Sequence, residues 1–207
     1  RFATGATIKN LGLKAVRNYE FLLPPLGTQK RIADILSAYD DLIENNLKRI
    51  KLLERAAQNI YKEWFVNLRF PGHENTPINK KTGLPEGWEK GVVSDFGRVI
   101  TGKTPSTKKK EFYEGSVPFV KTPDMHNSCY VIETTNKLTS LGVNSQNNKS
   151  LPKNSVMVSC IGTAGVVAMT AKVSQTNQQI NSVVFDKDFK SYYFFCFASG
   201  LKKLLEG

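Results

Sequence analysis

The stretch from Thr28 to Phe65, TQKRIADILSAYDDLIENNLKRIKLLERAAQNIYKEWF, decides the architecture. It opens on a residue type that caps helices, and from Thr28 onward neither Gly nor Pro appears until Pro71. Globular helices average about 11–12 residues, so an unbroken run of this length is an element in its own right. Its positions step alternately by four and three through Ile32, Leu36, Tyr39, Ile43, Asn46, Ile50, Leu53, Ala57, Ile60 and Trp64, the spacing of a coiled-coil seam. Lys48, Arg49, Lys51, Glu54 and Arg55 flank that seam. At 1.5 Å per residue the helix spans roughly 60 Å, longer than the face of one small domain. Burying the stripe calls for a second long helix, from another copy of the chain or from a partner protein. Asn46 is the polar residue on the seam, and it either fixes register at some expense in stability or faces solvent.

Upstream, residues 1–26 mix Gly5, Gly12 and polar residues with short apolar runs, ending in Tyr19-Glu20-Phe21-Leu22-Leu23 before Pro24-Pro25. That pattern predicts a loop, a strand over Tyr19–Leu23 and a stop. Downstream, Pro71, Gly72, Pro77, Gly83, Pro85 and Gly87 mark a linker ending at Trp88. Beyond Gly91, short β-rich runs alternate with turn residues: 117–120, 155–160, 165–169 and 182–185. The segment from Tyr192 to Leu205 has the spacing of an amphipathic helix. The fold class is therefore α/β of the α+β kind, a β-rich domain joined to one long coiled-coil helix.

Composition narrows the function classes. The 207 residues carry 29 Lys and Arg against 18 Asp and Glu, a net charge of +11, which suits a surface that meets phosphates. Cys129, Cys160 and Cys196 form no CxxC pair and any disulfide would leave one thiol over, which fits a reducing cytoplasm. His73 and His126 have no ligand spacing, so no metal site is expected, and no cofactor either. No run approaches the ~18 apolar residues of a membrane span, and no signal pattern is visible.

Gly97 to Thr104, GRVITGKT, matches the P-loop pattern letter for letter, and Ser182 to Asp186 offers an apolar strand ending in a carboxylate. A P-loop works only when its Lys and Thr open a helix whose amides hold the phosphates. Here Pro105 and then Ser106-Thr107-Lys108-Lys109-Lys110 follow, with no apolar face to dock a helix. A P-loop nucleotide-binding protein stands as one alternative, and a coiled-coil scaffold without DNA binding as another. Pro123-Asp124 with Asp188-Phe189-Lys190 echoes a metal-dependent nuclease only in short, common strings. No GxSxG elbow is present, and Gly162-Thr163-Ala164-Gly165 reads as a tight turn. No catalytic residue is assigned.

Basic and amide-bearing loops on a β-rich scaffold remain. Lys9, Lys103, Lys108, Lys109, Lys110 and Lys121 are candidates for phosphate neutralisation. Thr4, Thr7, Thr101, Thr104, His126, Asn127, Thr163, Gln175, Asn177 and Gln178 are candidates for contacts to DNA. Gln175 to Gln179 is the densest amide cluster, and Asn or Gln can pair bidentately with adenine; a polar loop satisfied by its own backbone is the simpler account of any single member.

The run Leu22-Leu23-Pro24-Pro25-Leu26-Gly27-Thr28-Gln29-Lys30-Arg31-Ile32-Ala33-Asp34-Ile35-Leu36 resembles the junction in specificity subunits of type I restriction-modification systems where a target-recognition domain passes into a spacer helix. Leu84-Pro85-Glu86-Gly87-Trp88 through Thr101-Gly102-Lys103-Thr104-Pro105-Ser106 resembles the start of such a domain. Leu151-Pro152 through Gly165, and Gln178-Gln179-Ile180-Asn181, are similar to its later strands. The resemblance implies residues 1–26 as a closing segment of a target-recognition domain, 27–69 as the spacer helix, 70–88 as linker and 89–207 as the main part of the domain. It further implies a non-catalytic subunit that selects double-stranded DNA, while methyltransferase (modification) subunits and restriction subunits do the chemistry. Members of the family carry two domains and two helices, so this chain reads as a circularly permuted half. We expect a homodimer with antiparallel helices, each chain lending residues 1–26 to the other's domain, because one chain could close that domain only with its linker almost straight.

Overall fold

A computed structural model describes residues 12–126 and 128–205, with side chains described as far as Gly200. The candidates Thr4, Thr7, Lys9 and Asn127 lie outside the described residues, as do the side chains from Leu201 to the end. The chain divides into two compact units, residues 1–54 and 55–207.

In the first unit a short helix α1, Leu13–Arg17, is followed by irregular chain over Tyr19–Pro25 and then by α2, Leu26–Tyr61. The strand expected over Tyr19–Leu23 is not formed. No strand is present among this unit's described residues to pair with it, and a lone strand gains no ladder hydrogen bonds to offset the cost of ordering it. Helix α2 begins before the expected cap at Thr28. The amides of Thr28 and Gln29 donate to Pro25 O at 2.9 and 3.1 Å, and the Gln29 side chain donates to Pro24 O at 2.7 Å. Proline suits this place because a helix front has no use for its missing N–H. The seam residues Ile32, Leu36, Tyr39, Ile43, Asn46, Ile50 and Leu53 are all exposed. So are Ile35 and Leu42, which widen the stripe beyond a two-helix seam over the first half of the helix. A Glu44–Lys48 pair at 2.7 Å bridges successive turns.

The second unit takes the last turns of α2. A π-helical turn over Lys62–Val66 follows, closed by Asn67 N to Lys62 O at 2.8 Å. Ile60 and Trp64 remain exposed, while Tyr61 and Phe65 pack on Tyr193 with ring centroids 5.5 and 4.8 Å away. Over the linker segment 70–88 the chain folds on itself. Phe70 stacks on Trp88 at 5.1 Å, Ile78 bridges Pro85, and Gly83 (φ 69°) turns the chain between them. Stacked aromatic surface at both ends of the segment holds it together.

A short helix α3, Val93–Phe96, leads into β1, Arg98–Thr101. Next come β2 (Tyr113–Val120), β3 (Tyr130–Val131), β4 (Asn136–Leu138), helix α4 (Ser140–Asn144), β5 (Val156–Ser159), β6 (Val167–Thr170), β7 (Gln175–Thr176), β8 (Ile180–Val184) and helix α5 (Asp188–Leu205). The strands form a five-stranded sheet, β1-β8-β5-β6-β3, and a three-stranded sheet, β4-β2-β7.

Alternation along the strands sorts the cores. Ile100, Met157 and Ala168 lie on one face of the large sheet and cluster with Val120 and Leu151. Val156, Met169 and Val183, on the opposite face, meet Phe194 and Ala198 of α5. Helix α5 thus covers one face, and residues from the small sheet and its loops cover the other.

Candidate nucleic-acid interface

Strand direction decides where the candidate residues meet. β1 runs antiparallel to β8 with Thr101 opposite Asn181, and β8 runs antiparallel to β5 with Ile180 opposite Ser159. β5 is antiparallel to β6, and β3 is parallel to β6. The chain therefore leaves β1 and β5, and enters β8, β6 and β3, at the same end of the large sheet. In the small sheet β2 and β7 are parallel, with Val120 opposite Thr176, so Lys121 and Asn177 emerge together. Because 177–179 leads straight from β7 into β8, both sheets present loops at this end.

Backbone bonds lace these loops together. Gly102 N donates to Ile180 O at 3.0 Å, Lys103 N to Thr176 O at 2.9 Å, Asn177 N to Val120 O at 3.2 Å and Cys160 N to Gln179 O at 2.8 Å. The Thr104 hydroxyl donates to Oε1 of the exposed Gln178 at 2.7 Å. A glycine is required at 102, since a Cβ there would lie 2.0 Å from Asn177 O. Thr101, Lys103, His126, Thr163 and Gln178 are exposed at or beside this end, and Thr104 and Lys121 are half-buried.

Lys108, Lys109 and Lys110, all exposed, come from the other end of β2. They precede Tyr113 at the start of β2, whereas Lys121 follows its end; the strand is bulged between them, with Tyr113 and Val117 both opposite Leu138. The Lys109 ammonium lies over the Phe112 ring, 5.1 Å from its centroid.

Gln175 departs from expectation more sharply. It is 0% exposed, its side-chain nitrogen within reach of Ser150 Oγ (2.9 Å), Val143 O (3.1 Å) and Gln146 O (3.3 Å), and its oxygen accepts from Gln146 Nε2 at 2.9 Å. Gln146 Nε2 also donates to Lys103 O at 2.7 Å. The Gln175 amide is thus consumed inside the protein and cannot read a base edge; it supports the loop that carries Lys103. Asn177 is also buried, its side chain bonded to Gln179 Oε1 at 2.9 Å and to Gln179 N at 3.2 Å, so it shapes the turn on which Gln178 projects.

The P-loop reading meets direct geometry. GRVITGKT is a β-strand and its exit, and the amides of Gly102 and Lys103 are spent on protein carbonyls. Asp186 pairs with Lys190 at 2.8 Å. The nuclease echo dissolves similarly, because the Asp124 carboxylate accepts from Lys121 N and Thr135 N at 2.9 and 3.2 Å while Asp188 accepts from Asn154 at 2.9 Å. Among the described residues no group of His, Cys, Asp and Glu forms a metal-binding cluster.

Charge is distributed to match. No Asp or Glu occurs between Asp95 and Glu111, where Arg98 and Lys103 lie, nor between Glu133 and Asp186, which encloses the 160–165 and 177–179 turns. Lys137 and Lys172 in the second stretch are partnered by Glu133 at 2.7 and 3.3 Å, and hydrogen bonds from Lys137 and then Lys172 hold that carboxyl below its ordinary range. The two acid-free stretches are a signal that lay in the sequence, as did Ile161, which stands 55% exposed on the β5–β6 turn.

Comparison with known proteins gives concordant results. A family model described as the type I restriction modification DNA specificity domain matches residues 1–55 and 85–206. The HindI specificity subunit of a type I restriction enzyme from Haemophilus influenzae is 32% identical over 88% of this chain and 52% of its own length. The MjaIX specificity subunit from Methanocaldococcus jannaschii is 31% identical over 56% of this chain and 28% of its own length. The chain thus spans about half of the HindI relative. In fold it is similar to the crystal structure of a type I restriction-modification system S subunit from M. genitalium, with a TM-score of 0.59 and 15% identity over 99% of this chain and 50% of that one.

Proposed function

We propose, for a chain that belongs to the type I restriction-modification DNA specificity family, that it is a non-catalytic subunit which recognises a double-stranded DNA sequence. In this reading the loops at the shared sheet end meet the duplex. Lys103 and Lys121 neutralise phosphates, while Thr101, Thr104, Thr163, His126 and Gln178 supply contacts nearer the bases. Lys108, Lys109 and Lys110 contribute a second basic patch further along β2. The observation that carries the proposal is the convergence of loops from both sheets on one end, two of whose enclosing sequence stretches, 96–110 and 134–185, are free of acid.

The long helix is the second functional element. The helix docks methyltransferase subunits, and its exposed stripe, Ile32 through Trp64, pairs with the same helix of a second copy, antiparallel, with residues 1–26 exchanged between domains. Catalysis belongs to the modification and restriction subunits. A protein with this role acts in the cytoplasm, where cellular DNA is found.

Binding to a labelled duplex across a salt series tests the DNA reading. Affinity should fall steeply with salt, and Lys103→Ala should flatten the log–log slope by about one phosphate contact. A basic scaffold with no DNA role predicts no retention even at low salt. Sedimentation of the wild type beside Ile43→Glu tests the pairing. Wild type should sediment as a dimer at tens of micromolar and the variant as a monomer; monomer in both would refute it.

A further inference from the structure

The β5–β6 turn differs chemically from its neighbours. Residues 160–165 contain no charge, and Ile161 is 55% exposed at a place where turns are ordinarily polar. The turn is held stiffly. Ser159, 1% exposed, donates its hydroxyl to Thr163 O and accepts from Val166 N at 2.9 Å, while its carbonyl accepts from Gly165 N at 2.9 Å. Gly162 and Gly165 adopt φ of 83° and 80°, left-handed conformations that side chains rarely tolerate. Cys160 N to Gln179 O, together with Asn181 Nδ2 to Cys160 Sγ at 3.1 Å, locks this turn to the one bearing Gln178.

We propose that Ile161 reads a thymine by packing its side chain on the C5-methyl group in the major groove. The inference rests on the DNA-recognising role proposed above. Lys103 and Lys121, leaving the same sheet end, supply the affinity for phosphates, so a neutral apolar apex beside them gains nothing from the backbone. An apolar group makes its gain on the base edge that is itself apolar, and in the major groove that edge is the thymine methyl. The exposed turn joining β5 and β6, at the end of the five-stranded sheet, suits that groove, about 12 Å wide, better than the minor groove of about 6 Å. Because the turn is already fixed by Ser159, little ordering cost opposes so small a contact.

The test uses a randomised duplex library. Wild-type chain is first used to select its preferred sequence, and each thymine in that sequence is then replaced singly by uracil, which lacks only the methyl group. Burial of one methyl corresponds to about a fourfold change in affinity. At one position the wild type should lose about that much, and Ile161→Ala should bind the thymine and uracil duplexes equally while keeping its salt dependence. Equal sensitivity of wild type and Ile161→Ala at every position, or a selected sequence without a sensitive thymine, would overturn the inference while leaving the DNA role intact. Failure of the wild type to enrich any sequence would bring down the DNA role and this inference with it.

Discussion

Replacing Gln175 by Ala separates a structural amide from a base-reading one. The side chain is wholly buried, with its nitrogen near Ser150 Oγ, Val143 O and Gln146 O and its oxygen accepting from Gln146 Nε2. A carboxamide has two N–H hydrogens, so about three of these bonds are made at once. At roughly 1 kcal/mol net for each, with a further allowance for the space left behind, the substitution costs about 3–4 kcal/mol. That is a large share of the ~5–15 kcal/mol that holds a domain folded. Urea unfolding followed by the fluorescence of Trp64 and Trp88 should show the midpoint fall sharply. Duplex binding without urea should stay within about threefold of wild type, since the fraction still folded keeps its exposed loops. Gln175→Glu should fare no better despite similar size, because a carboxylate cannot donate to the Val143 and Gln146 carbonyls. An unchanged midpoint accompanied by lost sequence preference would refute the reasoning and return Gln175 to the DNA.

Other substitutions probe the same scaffold. Gly102→Ala forces a Cβ against Asn177 O at 2.0 Å and Thr176 Oγ1 at 2.2 Å, so it should lower the urea midpoint and weaken DNA binding together; wild-type values for both would show that β1 can leave the 177–179 turn freely. Alkali should also unfold the second unit. Burial, reinforced by the neighbouring Tyr193 phenol, pushes the Tyr61 hydroxyl above its ordinary range, and burial does the same for Tyr130. Unfolded tyrosine ionises near pH ~10, so the stability these groups contribute is complete below that pH and disappears as pH climbs towards the folded values. Tyr61→Phe should therefore soften the alkaline loss of stability, read by tyrosinate absorbance alongside circular dichroism. Ionisation of every tyrosine near pH ~10 in the still-folded protein would contradict this.

The long helix was legible because its signal is repetitive: each turn restates the seam from Ile32 to Leu53, and no single position carries the reading. The main strands β5, β6 and β8 were legible as apolar runs bounded by turn residues. Short strands such as β3 and β7, of 2 residues each, hold no period to detect and exist only because a neighbour pairs with them. The same limitation explains the amide cluster. Gln175 and Gln178 are chemically identical in the sequence, and only the pairing of Gln175 with Phe119 turns one inward while the other stays outside. For GRVITGKT, Pro105 was a sufficient warning against a helix, but the use of the Gly102 and Lys103 amides depends on distant strands. The Tyr19–Leu23 strand failed for a complementary reason, since an apolar run before Pro24-Pro25 proposes a strand and only a partner completes one.

The apolar clusters of the second unit draw on strands, α5 and a few loop residues, and on none of Ile161, Thr163 or Gln178. Substituting those three should therefore cost little folding free energy, since none of them contributes to either core. The demands of folding fall instead on inner residues such as Gly102, Ser159 and Asn177, whose bonds and close contacts hold the turns in place. A lineage built this way can revise its preferences one turn at a time without ever passing through an unfolded ancestor.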